Sequence, residues 1–207
     1  MNYRIGKTYS VILMSVRSNA PYSDRFEDDG TTIIYGGHDL PKSAKLRDPK
    51  TADQPDVTPA GSLTQNGKFH LAAQQYKLGS GTAEQVRVYE KIKQGIWSYN
   101  GLFLLVDSWR EEVGGRSVFK FRLVAVEEET GEHTSAAPQT PPRRVIPTPI
   151  KLEVWKRDKG KCAKCGASNN LHFDHIIPYS KGGSSNTAEN IQLLCAKHNL
   201  EKRDRIE

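Results

Sequence analysis

Two short pairs of metal-ligating residues with identical spacing constrain what this chain can fold into. Cys162-Ala-Lys-Cys165 and Cys195-Ala-Lys-His198 are separated by a segment long enough for two strands and a turn. Together they supply three thiols and one imidazole, a donor set that zinc binds in tetrahedral structural sites. All three cysteines of the chain lie in these pairs, which indicates a metal site and not a disulfide framework. A unit of fewer than about 60 residues also needs a stabilising metal ion of this kind, because its apolar core is small.

A second motif lies between these pairs and continues past them. It reads Leu171-His-Phe-Asp174-His175-Ile-Ile-Pro178-Tyr-Ser180-Lys-Gly182-Gly183, and it is followed by Asn190 and by Asn199-Leu-Glu-Lys202. The whole pattern resembles that of the McrA-like HNH nucleases, which is C-x-x-C, D-H-I-x-P-x-S-x-G-G, N and then C-x-x-C-N-x-x-K. His198 replaces the fourth cysteine of the family, which zinc accepts, and Arg203 stands where a glycine often follows the lysine.

The resemblance implies a metal-dependent endonuclease that hydrolyses phosphodiester bonds in nucleic acid. His175 is the expected general base, since an imidazole titrates near neutral pH. Asp174 and Asn199 offer hard oxygen ligands to a catalytic divalent ion, Mg²⁺ or Mn²⁺, which is distinct from the zinc. These three residues, the ion and one further asparagine form the expected catalytic centre.

Three further polar residues belong to the same motif. By resemblance, Asn190 is part of the catalytic centre because it pins the loop backbone that orients His175, and it is not itself a reactive group. Lys202 either contacts a DNA phosphate or is a solvated lysine on a helix face. His172, on the same predicted strand as Asp174, is a further candidate for a substrate contact or for holding a metal ligand in place.

The first part of the chain has the pattern of a mostly β domain. Its apolar, β-branched and aromatic runs between turn signals predict strands over residues 9–16, 31–35, 86–92, 102–109 and 118–126. In the last run, Phe119, Phe121 and Leu123 alternate with Lys120 and Arg122, which predicts one buried and one wetter face. Helical spacing of apolar residues predicts a helix over residues 68–78. The polar stretch at residues 40–67 is expected to be either disordered or a functional loop.

The composition changes after residue 128, which predicts two domains. Residues 129–150 contain few large apolar side chains and several prolines, at positions 138, 141, 142, 147 and 149. We therefore predict a domain at residues 1–128, a linker at 129–150 and a domain at 151–207. In the last domain the pattern predicts a short helix at 152–158, a knuckle, a strand at 171–177 and a mainly helical segment at 187–203. This is an α+β protein with a C-terminal ββα-metal unit.

The first domain resembles a second family. The segments that carry this resemblance occur in the order found in SRA (YDG) domains: Tyr35-Gly-Gly-His-Asp39-Leu40, Leu63-Thr64-Gln-Asn66-Gly-Lys-Phe-His-Leu71, Val86-Arg87-Val88, Tyr99-Asn100-Gly101-Leu-Phe103 and Phe119-Lys-Phe-Arg122-Leu123. Tyr99-Asn-Gly stands in place of the family's Y-D-G. The resemblance implies a PUA-like curved β barrel with helices, which flips a modified cytosine out of the duplex into a pocket.

The resemblance also suggests which residues form that pocket. Tyr22 and Tyr35 are the expected stacking pair, although without the family one would be a core aromatic and the other a turn residue. Asp24 is the expected contact to the exocyclic amine, and Asp28 is the alternative. The family's carboxylate usually lies three residues after the first tyrosine, where this chain has Arg25. The modification therefore stays open: 5-methylcytosine, 5-hydroxymethylcytosine or another mark.

Joined together, the two resemblances imply a modification-dependent restriction endonuclease that acts on double-stranded DNA in the bacterial cytoplasm. The net charge of +6 suits a polyanionic partner, and no apolar run approaches the length of a bilayer span. One active site per chain implies a homodimer, or a transient pair of chains on the DNA, for duplex cleavage. The alternatives are a nuclease of the homing or repair type, with a non-selective or differently selective DNA-binding domain, and a non-catalytic zinc module that only binds DNA.

Overall fold

The computed structural model describes residues 1–5, 9–17, 20, 22–27, 30–43, 46–126 and 145–206. These residues belong to two compact units. The first unit lies within Met1–Glu27, Thr32–Glu90 and Gly101–Val126, and the second contains Lys91–Asn100 and the described residues from 145 onward, together with 30–31. Most of the predicted linker lies outside the described residues, so the domain boundaries at 128 and 150 stay predictions.

The first seven strands form one mixed sheet with the order β1-β2-β5-β6-β7-β4-β3. Their bounds are Asn2–Ile5 (β1), Tyr9–Met14 (β2), Arg25–Phe26 (β3), Thr32–Gly36 (β4), Glu84–Lys93 (β5), Ile96–Val113 (β6) and Arg116–Ala125 (β7). β2 and β5 pair in parallel, whereas β4 pairs antiparallel with β7 and β7 with β6. The five predicted strands are confirmed, and β6 begins six residues before its predicted start.

The predicted barrel is not closed in the part of the chain that the structure describes. The strand order runs linearly from β1 to β3, and these end strands have only four and two residues. Strands this short offer few backbone groups for pairing, so the sheet keeps two open edges. The α+β class is confirmed, but the first domain is an open mixed sheet with a helix.

One helix covers the sheet and completes its apolar core. Helix α1 spans Gln65–Lys77, and the Thr64 side chain caps it by accepting a hydrogen bond from the Gly67 N–H. Phe69 of α1 is fully buried and meets Phe121 of β7 edge to face, with 5.9 Å between ring centroids. The helix predicted at 68–78 is therefore confirmed, with a start three residues earlier.

The second unit is built on a short hairpin flanked by two helices. Its elements are α2 (Thr148–Arg157), β8 (Leu171–His175), β9 (Ile191–Cys195) and α3 (Ala196–Lys202). β8 and β9 pair antiparallel, with His175 opposite Ile191. Val154 of α2 packs on Ile191 and Leu193 to form the apolar core of this unit. The ββα arrangement is confirmed.

The prediction of a mainly helical segment at 187–203 is wrong in its first half. Residues 191–195 form β9, and all five are buried. An apolar run that is buried on every side carries neither a helical nor a strand period, so its pattern does not separate the two structures. In the residues that the structure describes, no helix is long and apolar enough to span a membrane.

Candidate active site and metal centre

The two predicted ligand pairs converge on one point in the second unit. Cys162 and Cys165 lie in the knuckle before β8, Cys195 ends β9, and His198 lies in the first turn of α3. The three sulfurs and one imidazole nitrogen all lie within 4.8 Å of one another.

The spacing of these four atoms fits a tetrahedral zinc ion. Cys165 Sγ lies 3.8 Å from Cys195 Sγ, and His198 Nδ1 lies 3.4 Å from both Cys162 Sγ and Cys195 Sγ. A tetrahedron with Zn–S near 2.3 Å and Zn–N near 2.1 Å places sulfurs about 3.8 Å apart and sulfur about 3.6 Å from nitrogen. The side chains are thus arranged for an ion of this size.

The electrostatics around the sulfurs also favour a cation. Burial raises the pKa of Cys162, but backbone N–H groups of Cys195, Cys165 and Lys164 lower it to a net value of about 6. The Ala167 N–H lowers the pKa of Cys165, yet burial and the neighbouring sulfurs raise it above its usual value. Neighbouring thiolates repel one another, so these sulfurs cannot all ionise on their own. A divalent cation bound between them removes that repulsion.

The predicted general base and its neighbour lie at the end of β8. His175 Nε2 lies 2.7 Å from Ser185 Oγ, and Ser185 is buried. This hydrogen bond fixes the plane of the imidazole ring. Ser185 was not singled out in the sequence, because nothing marks a serine in a polar loop as the partner of a histidine on a strand.

Asn190 holds the backbone of the loop that follows β8. Its Oδ1 accepts from the Ile177 N–H at 2.8 Å, and its Nδ2 donates to Ile177 O and Ser184 O at 3.1 and 2.9 Å. These contacts are of the kind that the family resemblance implies. A Cβ on Gly183 would overlap Ile177 O and lie 2.8 Å from Asn190 Nδ2. Glycine is therefore required where the loop backbone passes the asparagine.

Lys202 occupies neither of the two positions considered for it. Its side chain is 1% exposed and its Nζ lies 3.0 Å from Asp174 Oδ2. The same ammonium donates to the backbone oxygen of His175 at 2.7 Å. A lysine enclosed in this way holds the end of β8 in place and does not reach out to a phosphate.

The second predicted ligand of the catalytic ion lies on the same helix as Lys202. Asn199 is half-buried in α3, three residues before Lys202, so the two side chains share the helix face that reaches β8. One carboxylate and one amide oxygen are donors of the hard type that Mg²⁺ and Mn²⁺ prefer. His172 is exposed on β8. It lies two residues before Asp174, so the two side chains are on the same face of the strand.

The first unit contains a cavity of about 580 Å³. Two of the residues predicted for a base pocket, Tyr22 and Asp24, line it, together with Gly36, Lys50 and Lys120. Further lining residues come from the predicted loop at 40–67 and from β7, namely Gln54, Arg116, Val118 and Phe119.

Asp24 is a buried carboxylate at the wall of this cavity. Its Oδ1 accepts from the Gly36 N–H at 3.0 Å and its Oδ2 from the Ser15 N–H at 3.2 Å. Burial raises the pKa of Asp24 to about 6, against the lowering effect of these N–H groups and of Lys120. The group is thus an acceptor whose charge changes just below neutral pH.

The two predicted stacking residues have different surroundings. The Tyr22 ring is half-buried, stacks on the His38 ring and lies 4.4 Å below the Lys50 ammonium. Tyr35 is 1% exposed, its hydroxyl lies 3.0 Å from His38 Nε2, and it does not line the cavity. The structure therefore does not place Tyr35 as the partner face of Tyr22. Asp28, the alternative carboxylate, lies outside the described residues.

The predicted loop at 40–67 is anchored to the sheet where the structure describes it. Gln54 donates to Gly37 O at 2.8 Å and accepts from the Phe119 N–H at 2.8 Å. Arg116 binds Asp39 at 2.6 Å and also donates to backbone oxygens of the loop. These contacts bring Lys50 to the cavity mouth, which the sequence pattern did not indicate.

Comparison with known proteins identifies part of the second unit. Residues 162–205 match the family HNH endonuclease. Among curated proteins, the CRISPR-associated endonuclease Cas9 of Corynebacterium diphtheriae is 34% identical over 62 residues, covering 26% of this chain and 6% of that protein. The chain thus spans only a small part of the length of this relative.

Solved structures give broader but weaker similarities. An SUVH5 SRA complex with methylated CHH DNA is 22% identical over 57% of this chain and 63% of that chain, with a TM-score of 0.39. SUVH5 SRA bound to fully hydroxymethylated CG DNA is 24% identical over 61% and 69%, with a TM-score of 0.40. The type IV phosphorothioation-dependent restriction endonuclease ScoMcrA is 20% identical over 94% and 53%, with a TM-score of 0.34.

The family match covers the knuckle, the hairpin and α3, the elements on which the four-ligand centre and the Asp174-His175 pair are built. The chain therefore carries an HNH endonuclease domain over residues 162–205.

Proposed function

We propose that this protein is a modification-dependent DNA endonuclease that reads 5-methylcytosine or 5-hydroxymethylcytosine and cuts with its HNH domain. The observation that carries the nuclease activity is the contact of Lys202 with both Asp174 Oδ2 and the His175 backbone oxygen at the end of β8, in the same unit as the centre of three cysteines and one histidine. A zinc module that only binds DNA has no use for a hard-metal ligand next to an imidazole whose ring is fixed by a buried serine.

The chemistry follows from the residues at the end of β8. The His175 imidazole takes a proton from a water molecule, which attacks the phosphorus atom, and the 3′ oxygen leaves. Asp174 and Asn199 would hold a divalent ion, Mg²⁺ or Mn²⁺, which supplies positive charge to the scissile phosphate when bound. Lys202 holds Asp174 and the His175 backbone in place relative to each other, and Asn190 holds the loop that follows.

The modified base would enter the cavity of the first unit. Flipping a base out of the duplex costs a few kcal/mol of stacking. The Tyr22 ring offers a stacking face in exchange for its Lys50 contact, so hydrogen bonds to the cavity wall must supply most of the compensation. Asp24 supports the cytosine assignment because a carboxylate accepts from an exocyclic amine. The overall charge of +6 assists binding to the DNA backbone.

One observation favours a second candidate, an HNH nuclease that does not select for modification. Tyr35 is buried against His38, so the cavity presents one tyrosine face and not two. The first unit would then bind DNA through its cations, which include the cavity-lining Arg17, Lys50, Arg116 and Lys120.

Digestion of matched duplexes separates the two candidates. The full chain, with Mg²⁺ or Mn²⁺, is given DNA of one sequence that carries cytosine, 5-methylcytosine or 5-hydroxymethylcytosine. We expect cutting of modified duplexes only, and equal cutting of all three would support the non-selective nuclease. His175→Ala is the control, since it should still bind modified DNA but not cut it. Unchanged cutting by this variant would remove the catalytic assignment.

We further propose that the protein works as a homodimer in the bacterial cytoplasm. Each chain has one HNH centre, and a duplex has two strands to cut. A pair of chains on the DNA would supply both centres.

A further inference from the structure

We propose that Lys120 is a specificity-determining residue of the cavity: its ammonium donates to a ring acceptor of the bound base, beside the Asp24 carboxylate, so that the pair selects a cytosine edge over a thymine edge. This inference rests on the proposed function, because it names the base edge that the same cavity reads.

Lys120 lies on the wall of the cavity and not on the solvent side of the sheet. The alternation in β7 predicts an exposed lysine here, yet Lys120 is 3% exposed and lines the cavity. Its register partner on β4 is Gly36. Residues directly opposite each other in an antiparallel pair point to the same face, so the missing side chain of Gly36 leaves room on the face that Lys120 occupies.

The same glycine brings the other pocket residues close to Lys120. A Cβ on Gly36 would lie 3.5 Å from Asp24 Oδ1 and 3.6 Å from Tyr22 Cβ. The Gly36 N–H donates to Asp24 Oδ1 at 3.0 Å. A carboxylate and an aromatic side chain therefore flank one side-chain-free position of β4, and Lys120 stands opposite that position on β7.

The Lys120 ammonium has few hydrogen-bond partners among the described residues. An ammonium carries three N–H donors, and among the described residues its hydrogen-bond partner is Ser23 Oγ, at 2.7 Å. Lys120 acts on Asp24 through its charge and lowers the pKa of that carboxyl, although burial has the larger and opposite effect. A buried cation with few partners is costly unless a ligand supplies acceptors.

A carboxylate beside an ammonium is complementary to the hydrogen-bonding edge of cytosine. The N4 amine of cytosine donates, while N3 and O2 accept, so Asp24 takes the amine and Lys120 reaches an adjacent acceptor. Thymine has an acceptor at O4 and a donor at N3. Its O4 would then face the Asp24 carboxylate, and its N3–H would face the Lys120 ammonium. Sites built from buried polar groups reject a ligand that leaves those groups unpaired.

The test compares two bases that share the 5-methyl group. Full-length His175→Ala protein, which should not cut, is titrated with duplexes that carry 5-methylcytosine or thymine opposite guanine at the same position. We expect Lys120→Met to weaken binding of the 5-methylcytosine duplex by about 10- to 100-fold. Binding of the thymine duplex should stay within about twofold, so the ratio of the two affinities falls.

Arg122→Met is the matched control, because Arg122 lies two residues along the same strand, is partly exposed and pairs with Glu27 at 2.8 Å. It should leave the ratio unchanged. If Lys120→Met does not fold, Lys120→Gln keeps a polar tip and should still lower the ratio, by at least about threefold. Equal weakening of both duplexes by the Lys120 variants, or no weakening, would overturn the inference.

The proposed function fails separately from this inference. Equal binding of methylated and unmethylated duplex by the His175→Ala protein would remove the modified-base reader altogether. A preference for the methylated duplex that Lys120→Met leaves intact, together with an unchanged ratio to thymine, would remove only the role of Lys120.

Discussion

The enclosed ion pair of Lys202 and Asp174 sets how the end of β8 is held. Lys202 bridges the carboxylate of Asp174 and the backbone oxygen of His175, so a single ammonium ties both catalytic candidates to α3. Removing one partner of a buried pair leaves the other charge without compensation, which costs more than the pair contributes when intact. At this scale, positions of side chains relative to the phosphate decide the rate.

We expect Lys202→Met to lower kcat by about 10- to 100-fold, because the support of a metal ligand is lost. The salt dependence of DNA binding should not change, since the ammonium is enclosed. Lys197→Met is the control: Lys197 is an exposed lysine of the same helix, and kcat should stay within about twofold. A smaller salt slope with unchanged kcat would instead make Lys202 a phosphate contact.

The raised pKa of Asp24 predicts that binding of the modified base depends on pH. Burial raises this pKa from 3.8 to about 6, so the carboxylate acceptor is present above about pH 6 and is lost as the pH falls through that value. We expect the His175→Ala protein to bind a 5-methylcytosine duplex about tenfold more weakly at pH 5 than at pH 7.5.

Asp24→Asn should flatten that pH dependence, whereas Glu27→Gln, a change at a carboxylate paired with Arg122, should not. Protonation of histidines strengthens DNA binding at low pH, so the expected sign is distinctive. Binding that strengthens steadily toward pH 5 would contradict the assignment of Asp24.

For folding, the same shift means that ionisation of Asp24 costs stability. The folded chain holds this proton up to about pH 6 and the unfolded chain loses it near 3.8. Stability contributed by the neutral carboxyl therefore decreases as pH rises between these values.

Among the elements, the metal centre joins the knuckle, β9 and α3. Two ligands precede β8, one ends β9 and one begins α3, so the ion would close the hairpin and the helix into one unit. The apolar core there is small, with Val154, Ile191 and Leu193 at its centre. Metal binding then becomes part of the folding free energy of this unit.

We expect His198→Ala to lose zinc, and the second unit to unfold at a lower temperature with loss of cleavage. His198→Cys is the matched variant, because a fourth thiolate completes the ligand set. Zinc per chain by elemental analysis and thermal unfolding measure the two outcomes. A His198→Ala protein that retains one zinc per chain would contradict the four-ligand centre.

At the scale of the whole molecule, the proposed homodimer predicts that duplex cleavage depends on chain concentration. On supercoiled plasmid with modified cytosine, we expect nicked circles at low protein concentration and linear DNA at high concentration. Adding His175→Ala protein should raise the nicked fraction, because a mixed dimer has one active chain and cuts one strand. A rate per chain that is independent of concentration would contradict the dimer.

The sequence indicates those parts of the molecule that have a fixed spacing or a clear period. The two ligand pairs predict the metal centre, and alternating or helical patterns predict five strands and α1. It could not show β9, which is buried on all sides, or the open edges of the sheet, which depend on long-range pairing. The burial of Lys120 and Lys202 was also missed, because a lysine is expected on the surface unless a distant partner encloses it.

The Lys50 ammonium above the Tyr22 ring has a consequence for selectivity. Lys50 lies 4.4 Å from the ring centroid and is held by Asp39 at 3.3 Å. A base arriving on that face must exchange this cation–π contact for its own π contact, and both are worth roughly 1 kcal/mol. The exchange is close to neutral, so a base gains little by inserting its flat face alone. Only a base whose hydrogen-bonding edge also matches the polar side chains of the cavity wall would stay bound.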